Sequence, residues 1–243
     1  MDDRPATAEV EGMRIECIDW SGAEAALAAQ PYAVLPGVLA PGECEALAGL
    51  YDDDLLFRSR VVMERHRFGS GEYRYFKDPL PRAVAALRTA LYVPLARIAN
   101  RWAEALRLDQ RFPATLEAFR LHCASAGQSE PTPLLLRYEA GGYNCLHQDV
   151  YGPVAFPLQV VAFLSRPGHD HTGGEFLLVE QRPRAQSVAT VVPGGQGDLV
   201  VFPNRFRPVP GARGPFRGTV RHGLSRVHSG RRHALGIIFH DAR

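Results

Sequence analysis

Apolar positions along the 243-residue chain change their spacing after AGQSEPTP, near residue 130. Before it they recur at helical intervals. From Val84 they fall at 84, 87, 91, 95, 98, 102 and 106, the stripe of one helix face, with Pro94 inside it as an expected kink. Ser21-Gly-Ala-Glu24 has the form of a capping box opening AEAALAAQ, and Pro41 suits the first helical position of GECEALAGLY. ATLEAFRLHC is a further helix. Between these segments FRSRVVMERHRFGSGEYRYFKDP, rich in arginine and aromatics, reads as strand and loop. Beyond the change come eight short β-rich runs with Gly/Pro punctuation: LLLRYEAG, YNCLHQD, QVVAFLS, GGEFLLVE, SVATVVP, GDLVVFP, TVRHGLSRV and RHALGIIFH. Such a series predicts a barrel or double-sheet jelly roll, hence an α+β fold. We expect one domain, with residues 1–130 a mainly helical support packed outside a β core at 131–243.

Composition narrows the class. A hydrophobic share of 46% is that of an ordinary globular protein. No run of 18 apolar residues exists, and the acidic start MDDRPATAEVEGM does not resemble a signal peptide, so a cytoplasmic location without membrane association is expected. Cys17, Cys44, Cys123 and Cys145 are widely spaced and read as reduced thiols, with Cys145 a weak rival ligand beside His147. Net charge is +2, yet Leu199 to His240 holds eight arginines and no acid, leaving 20 basic against 26 acidic residues elsewhere. That block suits an anionic ligand or nucleic acid, or else pairs with carboxylates from the other half. Nothing here sets an oligomeric state.

Candidate chemistry centres on LHQDVYG. On a strand, His147 and Asp149 share a face, and one imidazole plus one carboxylate would occupy adjacent positions around a metal. A second histidine would complete a 2-His-1-carboxylate face with positions left open. His222, 73 residues after Asp149, is the candidate. We expect a three-residue turn at His228-Ser229-Gly230, with Gly230 left-handed, pairing Val227 with Arg231 and His222 with Gly236. Arg232 would then share the face of His222, with Arg226 opposite it.

The series His147-x-Asp149, then His222 followed by Val227, Gly230 and Arg232, resembles the Fe(II)/2-oxoglutarate-dependent dioxygenases over residues 133 to 243. RYEAGGYNCLHQD and GDLVVF are similar to AlkB-type repair enzymes, with Tyr138 nine residues before the histidine, although Leu136 stands where those enzymes carry asparagine. The basic residue ten after the distal histidine is similar to prolyl-hydroxylase-type enzymes. RFGSGEYRYFKDPLP, FPLQVVAFLSRPGHDHTGGEFLLVEQRPR and RHGLSRVHSGRRHALGIIFHDA look like a bacterial and fungal 2-oxoglutarate oxygenase subfamily linked to damaged DNA. The resemblance implies a double-stranded β-helix. It also implies Fe(II) on His147, Asp149 and His222, and 2-oxoglutarate held by Arg232 and Tyr138. A substrate C–H would be hydroxylated or a methyl group removed, with release of succinate and CO₂.

Substrate-side candidates are Arg226, Arg205, Arg207, Tyr143 and Gln159, the last also a donor behind the metal ligands. Arg205, Arg207, Arg213 and Arg217 interleave with Phe206 and Phe216. With Arg58, Arg60, Arg65, Arg67, Tyr73 and Tyr75 they would form a basic, aromatic rim for single-stranded or damaged nucleic acid. His66 is a further candidate there. Rival readings are a hydroxylase of a small anionic metabolite or peptidyl side chain, a cupin-type metal site at His169, His171 and Glu175, and a non-catalytic binding module. GGEF at 173–176 lacks the βα context of a diguanylate cyclase. His228, His233 and His240 read as surface or core-edge residues.

Overall fold

The computed structural model describes residues 13–243; the N-terminal stretch read above for a signal peptide lies almost wholly outside them. In chain order the elements begin α1 (Trp20–Ala29), β1 (Ala33–Leu35), α2 (Pro41–Gly49), β2 (Phe57–Val62), β3 (Gly69–Ser70), β4 (Glu72–Phe76), α3 (Arg82–Ala105) and α4 (Leu116–Ser125). They continue β5 (Leu134–Glu139), β6 (Tyr143–His147), β7 (Leu158–Phe163), β8 (His171–Gly173), β9 (Phe176–Gln181), β10 (Val188–Val191), β11 (Leu199–Pro203), β12 (Phe206–Val209), β13 (Phe216–Leu224) and β14 (Val227–Ile237).

Helix starts follow their chemistry with one shift. α1 is capped by Asp19, whose Oδ1 accepts from the Gly22 amide at 2.9 Å, so the expected Ser21 box is displaced by one earlier carboxylate. Glu24 is thereby released to pair with Arg101 of α3. Pro41 does open α2, where Glu43 reaches back to the Ala40 amide at 2.7 Å. α3 continues through Pro94, and Val84, Leu87, Leu91, Leu95, Ile98 and Trp102 are all buried.

Two antiparallel sheets face each other. The larger runs β1-β11-β7-β14-β5-β4-β2, with β8 added to β14. The smaller runs β10-β9-β13-β6-β3, with β12 added to β13. Strand alternation assigns each face. On β7, Leu158, Val160 and Ala162 join the apolar layer under α3 and α4, while Val161 and Phe163 turn into the space between the sheets beside Phe176, Leu178 and Val220. Both faces of β7 are covered, so all six residues are buried. The helical side is fixed by Arg88, which donates from inside α3 to the Ile238 and Phe239 carbonyls and to Asp241.

Two expectations need correction. The N-terminal segment is not only outer support, because β1, β2 and β4 extend the larger sheet and β3 extends the smaller. β13 and β14 do not form a hairpin: β13 pairs with β6, β9 and β12, whereas β14 pairs with β5, β7 and β8. The chain crosses from one sheet to the other at Ser225-Arg226, so His222 lies opposite His147 and Leu178, and Gly236 opposite Leu134 and Val161. Gly230 is left-handed, with φ 76°, but inside β14, pairing with His171 just past a register shift between Val227 and Ser229, where any Cβ would sit 2.0 Å from the Asp170 carbonyl oxygen.

Candidate functional site

The space between the sheets opens into a cavity of about 380 Å³. The smaller sheet contributes His147 and His222, directly opposite each other on β6 and β13, with ring centres 4.1 Å apart. The larger sheet contributes Gln159 from β7 and the directly opposed pair Tyr138 and Arg232 from β5 and β14. Cross-strand neighbours share a face, so pairing alone aims these side chains inward.

Asp149 reaches the site differently. β6 ends at His147, so strand alternation does not carry the carboxylate inward as the sequence suggested. Asn204 holds it instead: its Oδ1 accepts from the Asp149 amide at 3.0 Å and its Nδ2 donates to the Asp149 carbonyl at 2.6 Å. Tyr151 then donates to Asp149 Oδ1 at 2.8 Å and accepts from Tyr75 at 2.9 Å. The other oxygen, Oδ2, lies 3.2 Å from His222 Nε2. His147 donates from Nδ1 to the Cys145 carbonyl at 2.7 Å, which leaves Nε2 facing Asp149 at 3.6 Å. Ligand atoms of His147, Asp149 and His222 all lie within 4.8 Å of one another. Two imidazole nitrogens and a carboxylate oxygen of this kind fit a divalent transition metal such as Fe(II).

Electrostatics agree with a cation site. Burial alone would push the Asp149 carboxyl up, but the neighbouring His222 and His147 outweigh it and hold it below the usual range. His222 is lowered by burial and then by His147. Tyr138 and Tyr75 are raised by burial and stay protonated donors. Burial lowers Arg232 to about 10, which leaves it charged at neutral pH. It is only 6% exposed, has no carboxylate partner among the described residues, and places its guanidinium carbon 5.2 Å from the Phe163 ring centre. A buried cation without an ion-pair partner is costly, and an anion entering the cavity would offset that cost.

Other candidates lie elsewhere. Arg207 is 1% exposed: it pairs with Glu180 and donates to the Leu27 and Ala28 carbonyls, capping the C-terminal end of α1, which removes it from any substrate rim. Arg226 does not oppose Arg232; it stacks on Tyr143 at 4.7 Å and donates to the Gly141 carbonyl, so neither residue lines the cavity. Arg60 is consumed by Glu72. Arg205 is exposed over Phe206. Arg67 and Phe68 do line the mouth, and His66 stacks on Phe68 from outside. His169 and Glu175 do not join His171, whose Nδ1 is engaged by the Gly173 carbonyl at 2.9 Å, and the cupin-type triad is not assembled. Cys145 is no member of the cluster either. Asn204 and Tyr151 went unread in the sequence, and Tyr75, expected on the rim, instead donates to Tyr151 behind Asp149; only the proximity of Tyr151 to the H-x-D motif could have hinted at this chain.

Comparison with known proteins agrees with this architecture. Residues 71–242 match a family described as an oxygenase catalysing oxidative methylation of damaged DNA. An uncharacterised protein of Mycobacterium tuberculosis is 50% identical over 190 residues, covering 76% of this chain and 82% of the relative. A Trichoplax adhaerens prolyl hydroxylase, solved with a hypoxia-inducible-factor peptide, superposes with TM-score 0.58 at 14% identity, covering 91% of this chain and 89% of that one. A Burkholderia pseudomallei oxidoreductase of the 2OG-Fe(II) oxygenase family gives 0.53 at 16% identity, with 92% of each chain covered. These structures share the double-stranded β-helix. No helix among the described residues is long and apolar enough to cross a membrane. With the family matched across most of its length, this chain belongs to that group of oxygenases.

Proposed function

We propose that the protein is an Fe(II)- and 2-oxoglutarate-dependent dioxygenase acting on an alkylated base in nucleic acid. His147, Asp149 and His222 hold the metal. Bound there with 2-oxoglutarate, Fe(II) supplies O₂ activation coupled to release of succinate and CO₂, so that one oxygen atom enters a substrate C–H bond. On a methyl group attached to nitrogen, that outcome releases formaldehyde.

The protein's own residues set the stage. Tyr151 occupies one oxygen of Asp149 and leaves Oδ2 for the metal, while the Cys145 carbonyl fixes the tautomer of His147 with Nε2 free. Gln159 sits 3.5 Å from His222 Nδ1 and can orient the second ring. Arg232 receives the far carboxylate of 2-oxoglutarate through its fork of N–H donors, and Tyr138 adds a hydroxyl beside it. The single observation carrying this reading is the unpartnered guanidinium of Arg232 buried in the same cavity as the three ligands.

For the substrate, support comes from the family description and from the mouth, where Phe68 and Leu146 are each 46% exposed beside Arg67. Such a mouth suits a flat base with a neighbouring phosphate. The test measures succinate and formaldehyde over methylated oligonucleotides, prolyl peptides and small acids. Turnover with a methylated oligonucleotide, and binding that weakens steeply as salt rises, is the expected result. Turnover confined to peptides or small acids would reassign the substrate, and loss of turnover in His171→Ala but not His222→Ala would overturn the metal site.

A further inference from the structure

A second cavity, of about 280 Å³, lies behind the loop that carries Asp149. It shares no lining residue with the metal cavity, yet Asn204, which clamps Asp149, is part of its wall. Trp102 at the end of α3 and Phe112 make an apolar floor, with Phe156 fully buried behind them. Phe206 of β12 stands at the side, with Arg205 and Arg217 at the rim.

The rim is electrostatically unfinished. The Arg205 guanidinium carbon sits 4.6 Å from the Phe206 ring centre and that of Arg217 5.7 Å from the same ring. Register explains the second contact: Phe206 opposes Thr219 and Pro208 opposes Arg217, so Phe206 and Arg217 share one face of the β12–β13 ribbon. Arg207, on the other face, is consumed by Glu180 and α1. Arg205 and Arg217 have no ion-pair partner among the described residues. Two guanidinium groups that touch one ring, neither with such a partner, leave the rim of this cavity positively charged.

An aromatic floor beside two cations has the complement of a nucleotide, planar and weakly polar at one end and anionic at the other. We propose that this cavity is a nucleotide subsite, taking the base against its aromatic lining and the phosphate between Arg205 and Arg217. The chemistry is shared by a free nucleoside monophosphate and by a nucleotide within a strand whose neighbour enters the metal cavity. Binding of a free nucleotide here does not depend on the metal reading, because Arg205, Arg217 and Trp102 are separate from the residues around Arg232; the strand source alone rests on it.

The chain has two tryptophans, Trp20 and Trp102, so Trp20→Phe leaves Trp102 as the reporter. Emission of that protein is titrated with each of the deoxynucleoside 5′-monophosphates, with deoxynucleosides and with inorganic phosphate. The expected result is saturable quenching by a nucleotide, about tenfold weaker with the nucleoside and absent with phosphate alone. Arg205→Ala with Arg217→Ala should weaken it about tenfold. The paired lysine variant should recover part of the affinity, and Arg232→Ala, in the other cavity, should leave the quenching curve where it was. A short single strand quenching at lower concentration than the monophosphate identifies the strand as the source; equal or weaker quenching identifies the free nucleotide. No saturable quenching, or quenching indifferent to the arginine pair, overturns the subsite.

Discussion

At the scale of single residues, two side chains separate anion capture from metal capture. Arg232→Ala removes the cation while leaving His147, Asp149 and His222 in place. Loss of one half of a buried charge pair costs about 3 kcal/mol, so the 2-oxoglutarate concentration needed for half-maximal turnover should rise about 100-fold. Anaerobic Fe(II) titration should be unchanged, and an unaltered 2-oxoglutarate requirement would remove Arg232 from its role. Asn204 is the converse case. Asn204→Ala deletes both bonds that hold the Asp149 backbone, and Fe(II) affinity should fall about tenfold, as for other residues that brace metal ligands. Retained affinity would mean that Tyr151 suffices. The meeting of His147, Asp149, His222 and Arg232 in one cavity was legible in the sequence because their types and spacings are unusual together. Asn204 was not, since its partner lies 55 positions away and nothing local marks the contact.

At the scale of elements, local pattern read well and pairing did not. The stripe from Val84 to Trp102 is one helix face because helical periodicity is a local property. The β13–β14 relation was misjudged for the opposite reason. Gly230 signals a left-handed residue, and the same signal serves a hairpin turn or a close approach to the backbone of β8; only distant strands decide between them. Arg207 carries the same lesson, because its basic neighbourhood suggested a rim while Glu180 and the end of α1 were waiting for it. The helix layer makes its own prediction. Phe156 lies among Tyr92, Phe112, Phe119 and Phe239, with ring centres 5.0 to 5.5 Å away. Phe156→Ala should cost about 3–5 kcal/mol in denaturant unfolding, whereas the same change at exposed Phe68 should cost little. Similar losses at both would deny the layer its central place.

At the scale of the whole molecule, buried histidines link stability to pH. His240 is 1% exposed and its ring is lowered to about 4, chiefly by burial, so the folded protein keeps it neutral while the unfolded chain protonates near 6.5. Its contribution is therefore complete above pH 6.5 and lost as pH falls toward 4, up to about 3 kcal/mol. Melting of metal-free protein should show that acid slope, and His240→Asn, which can still accept from the Phe156 amide, should flatten it. An identical slope in both proteins would place the acid sensitivity elsewhere. The N-terminal strands matter at this scale too. A shortened chain beginning at residue 71 would carry every proposed ligand, yet β4 would stand without β2, β6 without β3 and β11 without β1. Three raw flanks on two sheets invite self-association. Light scattering should therefore register the damage in such a fragment before any assay of its chemistry does.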